Sequence, residues 1–181
     1  MTSYTTQNSL LLTNLLEFYD KEDNLEVMLN IINGESPISL RIVDWFVTNY
    51  AKQKFTVYVL EEGGRFKVYN DYKLKLKAYS KKRFDPFCRW DRITIPYKDD
   101  TLIQTTIGQL NFFKWALENE IISYIKNNYA DIEKDMNNRN STSKRKLVLN
   151  NSKTRKKREE LSISASKTIK QENVSVTIKF D

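Results

Sequence analysis

The largest group of side chains that could bind a ligand lies between Arg65 and Arg92. Ten basic residues in this stretch outnumber three acidic ones, and seven aromatic residues are interleaved with them. A single-stranded nucleic acid requires cations for its phosphates and aromatic faces for its bases, whereas a duplex requires cations along its backbone. The stretch therefore predicts a nucleic-acid interface. Its candidate contacts are Arg65, Lys67, Lys73, Lys75, Lys77, Lys81, Lys82, Arg83, Arg89, Trp90 and Arg92.

Three of these arginines lie around one irregular segment. Arg83, Arg89 and Arg92 flank or interrupt the run FDPFCRW, in which the residue before Pro86 is pushed away from helical backbone angles. A guanidinium group matches two phosphate oxygens with two parallel hydrogen bonds. We expect these three arginines to make ordered contacts with anions.

Two other interpretations of the stretch stay open. Tyr69, Tyr72 and Tyr79 would share one side of a helix, as core packing also demands, and the lysines on the other side would then only be solvated. Alternatively, the basic side chains pair with acidic flanks, because residues 1–64 carry a net charge of −5 and residues 93–140 one of −2. The pattern alone does not separate these interpretations from a ligand-binding face.

The last 41 residues hold the net charge of the chain. Residues 1–140 contain equal numbers of basic and acidic side chains, whereas residues 141–181 contain eleven basic and four acidic ones, which accounts for the whole +7. Two basic clusters, separated by eight residues, resemble a bipartite nuclear localisation signal and would serve equally as a non-specific nucleic-acid arm. An inert solubilising tail is the alternative. The clusters consist of Lys144, Arg145 and Lys146, and of Arg155, Lys156, Lys157 and Arg158.

The composition offers little support for enzymatic chemistry. The absence of histidine excludes His-based triads, His-based zinc sites and near-neutral proton shuttles, and the single cysteine excludes an internal disulfide. None of the four glycines forms a phosphate-binding GxGxxG or GxxxxGK[ST] motif, and Cys88 is interpreted as a small, half-buried apolar residue. We predict a non-enzymatic protein without metal or cofactor. The acidic residues that show no metal-site spacing are Asp44, Glu61, Glu62, Asp85, Asp91, Asp99 and Asp100.

Helices are predicted upstream of the basic stretch. Ser9–Asp20 and Asn24–Ile32 place leucines at helical spacing, and Gly34 would end the second helix. Ser36-Pro37 is typical of an N-cap followed by the first residue of a third helix. The apolar residues that follow recur at helical spacing as far as Tyr50.

The basic stretch itself begins in a predicted hairpin. Phe55–Leu60 and Arg65–Tyr69 are rich in β-branched and aromatic residues and flank Gly63-Gly64. The run DYKLKLKAYSKK that follows alternates as a strand would and repeats as a helix would. Asn70 as an N-cap and the closing basic triplet Lys81–Arg83 favour a helix.

Two further elements follow the basic stretch. Ile93–Tyr97 is predicted as a strand, and Pro96 places it at a sheet edge because proline lacks the N–H that a central strand needs. Thr105 or Thr106 would then cap a long helix, whose apolar stripe runs to about Asn127.

These elements predict an α+β fold. It comprises a helical N-terminal layer, a small antiparallel sheet made of the hairpin and the edge strand, a long C-terminal helix, and a disordered basic tail that ends in a short strand. Residues 1–138 would form the compact domain, residues 139–172 a basic tether too polar to bury a core, and residues 173–181 the terminal β-strand. That strand would fold back on the edge left by Pro96 or add to a sheet of another protein.

Three blocks of the sequence are long and rich in aromatic residues. They are SLRIVDWFVTNYAKQ, YKLKLKAYSKKRFDPFCRW and TTIGQLNFFKWALENEIISYI. Together these blocks, which cover roughly Ser39 to Ile125, resemble a small protein family of nucleocytoplasmic large DNA viruses, a group that includes iridoviruses and giant viruses. The resemblance implies an infected cell, with its virus factory and packaged DNA, as the context. It assigns no catalytic residues.

The resulting hypothesis is a non-enzymatic viral protein that associates with nucleic acid, DNA above all, through the basic stretch and the tail. A structural or scaffolding protein of the virion or virus factory is the alternative, and a small metal-dependent enzyme is a third. The expected partners are DNA and a viral protein held by the C-terminal strand, with no membrane and no small-molecule substrate. Because SLLLTNLL (Ser9–Leu16) is too short for a signal or a membrane span, we expect an intracellular location, in host cytoplasm, virus factory or nucleus, or in the virion.

Overall fold

The computed structural model describes residues 7–21, 23–88, 91–98, 101–149 and 171–172. The fold of these residues is α+β, as predicted: helices pack around one central helix, and the strands form small antiparallel sheets. Within this part of the chain, none of the helices combines the length and hydrophobicity that a bilayer span requires.

Two helices form the N-terminal layer. Helix α1 spans Gln7–Tyr19 and helix α2 spans Asn24–Asn33, which confirms both predicted elements. Gly34 ends α2 in the left-handed conformation (φ 80°), and its N–H donates to the carbonyl of Asn30. Glycine suits this position because it has no Cβ to clash with the backbone.

The third helical segment changes its winding halfway along. Helix α3 covers Leu40–Trp45, a π-helical turn covers Phe46–Tyr50, and helix α4 covers Ala51–Lys54. In the π-helical turn the N–H of Ala51 donates to the carbonyl of Phe46, five residues earlier. The turn therefore holds one residue more than an α-helical turn, and it changes the direction in which α4 presents its side chains.

The predicted start of this segment is wrong. Helix α3 begins at Leu40, and its N-cap is Ser39, whose side chain accepts from the N–H of Ile42 at 3.3 Å. Ser36 instead closes a local turn, in which its Oγ accepts from the N–H of Ile38 at 3.2 Å. Ile38 is only 1% exposed, so the chain inserts this side chain into the core before the helix starts.

The predicted hairpin is confirmed. Strand β1 (Val57–Val59) pairs antiparallel with strand β2 (Arg65–Lys67). The turn between them is closed by backbone hydrogen bonds from the N–H of Gly63 to the carbonyl of Leu60 and from the N–H of Leu60 to the carbonyl of Gly64. Both glycines have positive φ angles, 90° and 99°, which tight hairpin turns require.

The remaining strands form a second sheet, so the predicted single sheet is divided in two. Strand β3 (Arg92–Pro96) pairs antiparallel with strand β4 (Leu102–Thr106), and strand β5 (Gln171–Glu172) lies on the other side of β4. Sequence patterns did not predict β4, because its five residues run directly into a helix. Residues 173–181, the predicted terminal strand, lie outside the described residues.

The segment with two competing patterns is a helix. Helix α5 spans Val68–Phe84 and begins two residues before the predicted N-cap Asn70, which is therefore wrong. Strand β2 leads directly into it, and the N–H of Val68 donates back to the carbonyl of Thr56. Ser80 interrupts the helix with φ 64° and ψ 164°, so α5 consists of a long piece and a final turn.

The C-terminal helix is divided into three. Helix α6 spans Ile107–Glu118, helix α7 spans Ile121–Asn127 and helix α8 spans Tyr129–Leu149. The predicted cap is confirmed, since Thr106 Oγ1 accepts from an N–H of the first turn of α6 at 3.2 Å. Helix α8 continues beyond residue 138, and the predicted domain boundary there stays a prediction.

The predicted continuous stripe is interrupted by asparagine. The side-chain amide of Asn119 donates to the carbonyl of Trp115 at 2.8 Å, and that of Asn128 donates to the carbonyl of Tyr124 at 2.9 Å. Each of these carbonyls also accepts from the backbone N–H of the same asparagine, so the amide adds a second hydrogen bond at the residue where the helix ends. Glu120, between α6 and α7, has a left-handed φ of 55°.

Helix α6 lies at the centre of the core. It packs against α1, α2, α5 and β4, and its residues Leu110, Phe112 and Phe113 are fully buried. The ring of Phe112 lies 5.7 Å from those of Phe84 and Trp115. Because α6 is buried on nearly all sides, it fixes the inner face of α5 and leaves the outer face to solvent.

Candidate nucleic-acid interface

Nine basic side chains of the predicted interface are described, on β2, α5 and the start of β3. Seven of them are exposed, and Lys75 and Arg83 are half-buried. Lys73 and Lys77 are one helical turn apart, about 6 Å along the axis of α5, and therefore lie on the same side of it. We call these nine residues the basic face: Arg65, Lys67, Lys73, Lys75, Lys77, Lys81, Lys82, Arg83 and Arg92.

A tenth cation, Lys52, joins this face from outside the basic stretch. The Nζ of Lys52 lies 5.6 Å from the centre of the Tyr69 ring, and the Nζ of Lys73 lies 5.7 Å from it. Lys67 lines the same cavity as Lys52 and Tyr69. Lys52 belongs to α4, within an acidic third of the sequence, so counting charge along the chain could not find it. The one sequence feature that could have indicated this contact is the position of Lys52 just before the predicted hairpin.

The described aromatic residues of the stretch lie in the core or pack against it. Phe66 is 7% exposed and Phe84 is fully buried. The ring of Tyr72 lies 6.0 Å from Phe84 and 5.9 Å from Trp115, and the ring of Tyr79 stacks on Phe84 at 6.0 Å. Helix α5 thus turns its tyrosines to the core and Lys73 and Lys77 to solvent, beside Leu74, which is 65% exposed. An aromatic side in the core was one of the two alternatives to a binding face.

Acidic partners neutralise little of the basic face. The Nζ of Lys82 lies 2.6 Å from a carboxylate oxygen of Asp91, and both side chains are more than half exposed. Asp71 instead accepts from the indole N–H of Trp115 at 2.6 Å, and Asp85 accepts from a backbone N–H at 2.9 Å. Among the described residues, the other members of the basic face have no carboxylate within 4.0 Å.

The start of α6 holds the turn that follows α5. The amide of Asn111 donates to the carbonyl of Arg83 at 2.9 Å, and the hydroxyl of Thr106 donates to a carbonyl later in the turn at 3.3 Å. A Cβ on Gly108 would lie only 2.9 Å from the carbonyl oxygen of Asp85. The absence of a side chain at this glycine therefore lets the turn approach the helix closely, and the basic end of α5 takes its position from that contact.

Several predicted contacts fall elsewhere in the chain. Lys144, Arg145 and Lys146 lie on α8, where the structure gives the course of their backbone. The others lie outside the described residues; these are Arg89, Trp90, Arg155, Lys156, Lys157 and Arg158.

Buried tyrosines near the interface have structural roles. The hydroxyl of Tyr19 donates to the carbonyl of Leu110, and that of Tyr58 donates to the carbonyl of Asn119, both at 2.6 Å. Burial raises the pKa of Tyr19, Tyr58 and Tyr72 above the usual value. The hydroxyls of Tyr19 and Tyr58 thus connect α1 and β1 to α6 and the residue that follows it.

The acidic candidates do not assemble into a metal site among the described residues, where no three potential ligands come together. Asp99 and Asp100 lie outside those residues. Cys88 is buried, at 8% exposure, rather than half-buried as predicted, and its thiol is free. What this part of the chain offers chemically is a cationic surface on a rigid support.

Fold and surface together define an α+β protein with a helix that is aromatic on its core side and basic on its solvent side. The chain belongs to DUF7197, a family of unknown function, whose profile matches residues 2–181. It is 47% identical over 127 residues to Uncharacterized protein L507 of Acanthamoeba polyphaga mimivirus, which covers 66% of this chain and 49% of the relative. The chain thus spans about half the length of this curated relative. No solved structure matches. These findings confirm the predicted resemblance to a giant-virus family.

Proposed function

We propose that this protein binds nucleic acid, duplex DNA above all, through non-enzymatic contacts between the basic face and the phosphate backbone. The observation that carries the proposal is the solvent side of α5. There Lys73 and Lys77 are exposed one turn apart, and Lys81 follows in the final turn, with no carboxylate within 4.0 Å of any of the three among the described residues. Such cations release the counterions condensed on a polyanion, which favours binding.

The placement of the aromatic rings supports a duplex over a single strand. A single strand gains affinity when its bases stack on exposed rings. In α5 the rings of Tyr72 and Tyr79 pack in the core, and two ammonium groups lie near the ring of Tyr69. The surface is therefore better suited to phosphates than to bases.

Lysine-rich contacts imply binding with little sequence preference. Phosphate contacts position a protein on DNA and carry no base information, whereas specificity requires side chains that reach base edges. The tail clusters around Lys144–Lys146 and Arg155–Arg158 would add affinity of the same kind. A protein of this type would coat or organise DNA in an infected cell, its virus factory or nucleus, or in the virion.

The test is a salt titration of binding to a short fluorescent DNA duplex, with the matching single strand as a second probe. The test variant is Lys73→Gln/Lys77→Gln/Lys81→Gln. We expect the wild type to prefer the duplex, and the variant to bind it more weakly, with a salt slope smaller by up to about 2.7 because each phosphate contact contributes about 0.9.

The matched control removes the same charge from other exposed positions. Lys21, Lys126 and Lys134 are exposed and lie outside the basic face. Their triple change to Gln should leave the salt slope close to that of the wild type. Equal losses in both triple variants would show that only net charge matters, and absence of wild-type binding would refute the proposal.

A second candidate function is scaffolding through protein contacts. It is favoured by one observation, the exposed apolar side chains Phe55, Val57 and Val59 at the hairpin. Such a protein would need no DNA affinity, so a negative result in the salt titration would make it the leading candidate.

A further inference from the structure

The outer side of the hairpin exposes three apolar side chains in succession. Phe55 is 83% exposed, Val57 45% and Val59 66%. We call these three residues, together with Lys52 and Lys67, the hairpin surface. Contiguous exposed apolar residues with a polar rim are typical of interaction sites.

Phe55 is held in an unfavourable conformation as well as exposed. It ends α4 with φ 50° and ψ 47°, in the left-handed region. Glycine and asparagine are the residues that adopt this region at low cost, whereas a bulky aromatic residue is strained there. The described part of the fold gains no burial from this ring. A residue that violates two local preferences without a gain in packing indicates a role outside the fold.

The backbone of β1 also has a free edge. The carbonyl of Thr56 accepts from Val68 of the neighbouring chain segment, and Leu60 bonds in the same direction. Successive residues of an antiparallel strand alternate in direction, so Val57 and Val59 point their N–H and C=O groups away from β2. Within the described residues these groups have no backbone partner.

The strand is rigid in spite of its exposed edge. The side chain of Tyr58 points inward, where its ring stacks on Tyr124 at 4.8 Å and its hydroxyl bonds to the carbonyl of Asn119. The N–H of Glu61, just after the strand, donates to a carboxylate oxygen of Glu120 at 2.7 Å. A preformed edge of this kind needs little ordering when a partner binds.

A cavity of about 520 Å³ opens beside Phe55 and Val57. Thr56, which lines it, is 8% exposed, and its Oγ1 has no hydrogen-bond partner among the described residues. A buried hydroxyl without a partner is costly, so this wall of the cavity carries a local energetic penalty. The other lining residues are Ala51, Lys52, Lys67, Tyr69 and Asn70.

We propose that the hairpin surface binds an extended peptide segment that carries both apolar and acidic side chains. The segment adds a strand to the free edge of β1, and one apolar side chain enters the cavity against Phe55. Charge complementarity selects the acidic residues, because Lys67 and Arg65 lie directly opposite Val57 and Val59 and Lys52 lines the cavity. Backbone pairing supplies affinity and the cavity supplies specificity.

Other occupants fit these observations less well. If β1 of a second copy paired with β1, the paired strands would be only three residues long. The Lys52 and Lys67 groups of the two copies would then approach one another and repel. A nucleic acid would gain nothing from the apolar row. Each of these occupants is an outcome that the following experiment identifies.

The experiment selects random peptides displayed on phage against the full-length protein. We expect enrichment of peptides that mix apolar and acidic residues, and slower amide exchange at Val57 and Val59 when the best synthetic peptide is added. Phe55→Asn should weaken that peptide by roughly tenfold or more, since the anchor ring is lost. Asparagine suits the left-handed backbone, so this variant keeps the fold. Leu10→Asn, which changes another exposed apolar residue on α1, should bind like the wild type.

Several outcomes would overturn the proposal. Enrichment of basic peptides, no enrichment at all, or binding that survives Phe55→Asn would each do so. A concentration-dependent dimer that Val59→Lys abolishes would assign the surface to a second copy. Faster exchange at Val57 and Val59 after deletion of residues 173–181 would assign it to the chain's own end. If Phe55→Asn weakens DNA but not peptide, the surface serves nucleic acid. The lysine variants of α5 test DNA binding separately, so the two proposals can fail independently.

Discussion

At the scale of single residues, Ser80 decides how the basic residues of α5 are arranged. Its φ of 64° and ψ of 164° lie in a region that only glycine occupies readily, and such a residue costs about 1–3 kcal/mol. The residue separates Lys77 from Lys81, which a continuous helix would place one turn apart on the same side. The basic residues after the break therefore do not continue the row that Lys73 and Lys77 form.

Ser80→Gly should stabilise the protein by about 1 kcal/mol. Glycine removes the strain, and its greater freedom in the unfolded chain offsets part of the gain. Urea unfolding measures the difference. The matched control is Ser123→Gly in the regular helix α7, which should lose about 0.5–1 kcal/mol. A Ser80→Gly protein less stable than the wild type would show that Ser80 makes a contact that outweighs its strain.

Among elements, α5 shows what sequence patterns can and cannot predict. The spacing of its tyrosines predicted a helix, and the glycine pair predicted the hairpin before it. Asn70 failed as an N-cap because strand pairing at Val68 fixes the start of the helix. The break at Ser80 has no local signal, since neither glycine nor proline is present in that run.

The sequence predicts which basic residues belong to the candidate interface, but it does not predict how they are arranged in space. Periodicity places the rings of Tyr72 and Tyr79 on one side of α5, but core packing and base stacking use the same spacing. Only tertiary packing assigns these rings to the core: Tyr72 contacts Phe112 and Trp115 of α6, and Tyr79 stacks on Phe84. Lys52 joins the cluster through tertiary packing, so the charge count over residues 65–92 does not include it.

The contact between α6 and the turn after α5 yields the second prediction. Gly108→Ala should destabilise the protein by about 2 kcal/mol, because its Cβ would lie 2.9 Å from the carbonyl of Asp85 and 3.1 Å from that of Lys82. Thermal unfolding measures the loss. Glu118→Ala, on the exposed side of the same helix, should change stability by less than about 1 kcal/mol. Equal stability of Gly108→Ala and wild type would mean that the turn can move away without cost.

At the scale of the whole molecule, the charged tail and the domain can be separated. Removing residues 141–181 deletes the entire formal charge of +7 and keeps the buried residues Ile132 and Met136 of α8. We expect the remainder to unfold cooperatively and to bind DNA with a shallower salt dependence. Loss of cooperative unfolding would place residues after 140 inside the domain and make the predicted boundary wrong.

The pH dependence of stability follows from the buried tyrosines. The raised pKa of Tyr19 means that the unfolded chain loses this proton near pH 10, before the folded protein does. Stability should therefore be complete below about pH 10 and fall above it, by up to about 1.4 kcal/mol per pH unit for this residue. Urea unfolding between about pH 8 and 11 measures the slope, which Tyr19→Phe should reduce. An unchanged slope in that variant would assign the alkaline loss to other groups.

The π-helical turn at Phe46–Tyr50 makes this architecture sensitive to chain length at one place. Loss of a single residue there would restore regular winding and rotate the side chains of α4 by about 100° relative to α3 and to α5, which packs against α6. Lys52 would leave the ring of Tyr69, and the backbone at Phe55 would need other angles to lead from α4 into β1. A one-residue gap at this turn in a related chain would therefore mark a protein that keeps the helical core and has lost the Lys52 contact with Tyr69. At this turn a change in chain length therefore alters the surface of α4 in a way that a substitution does not.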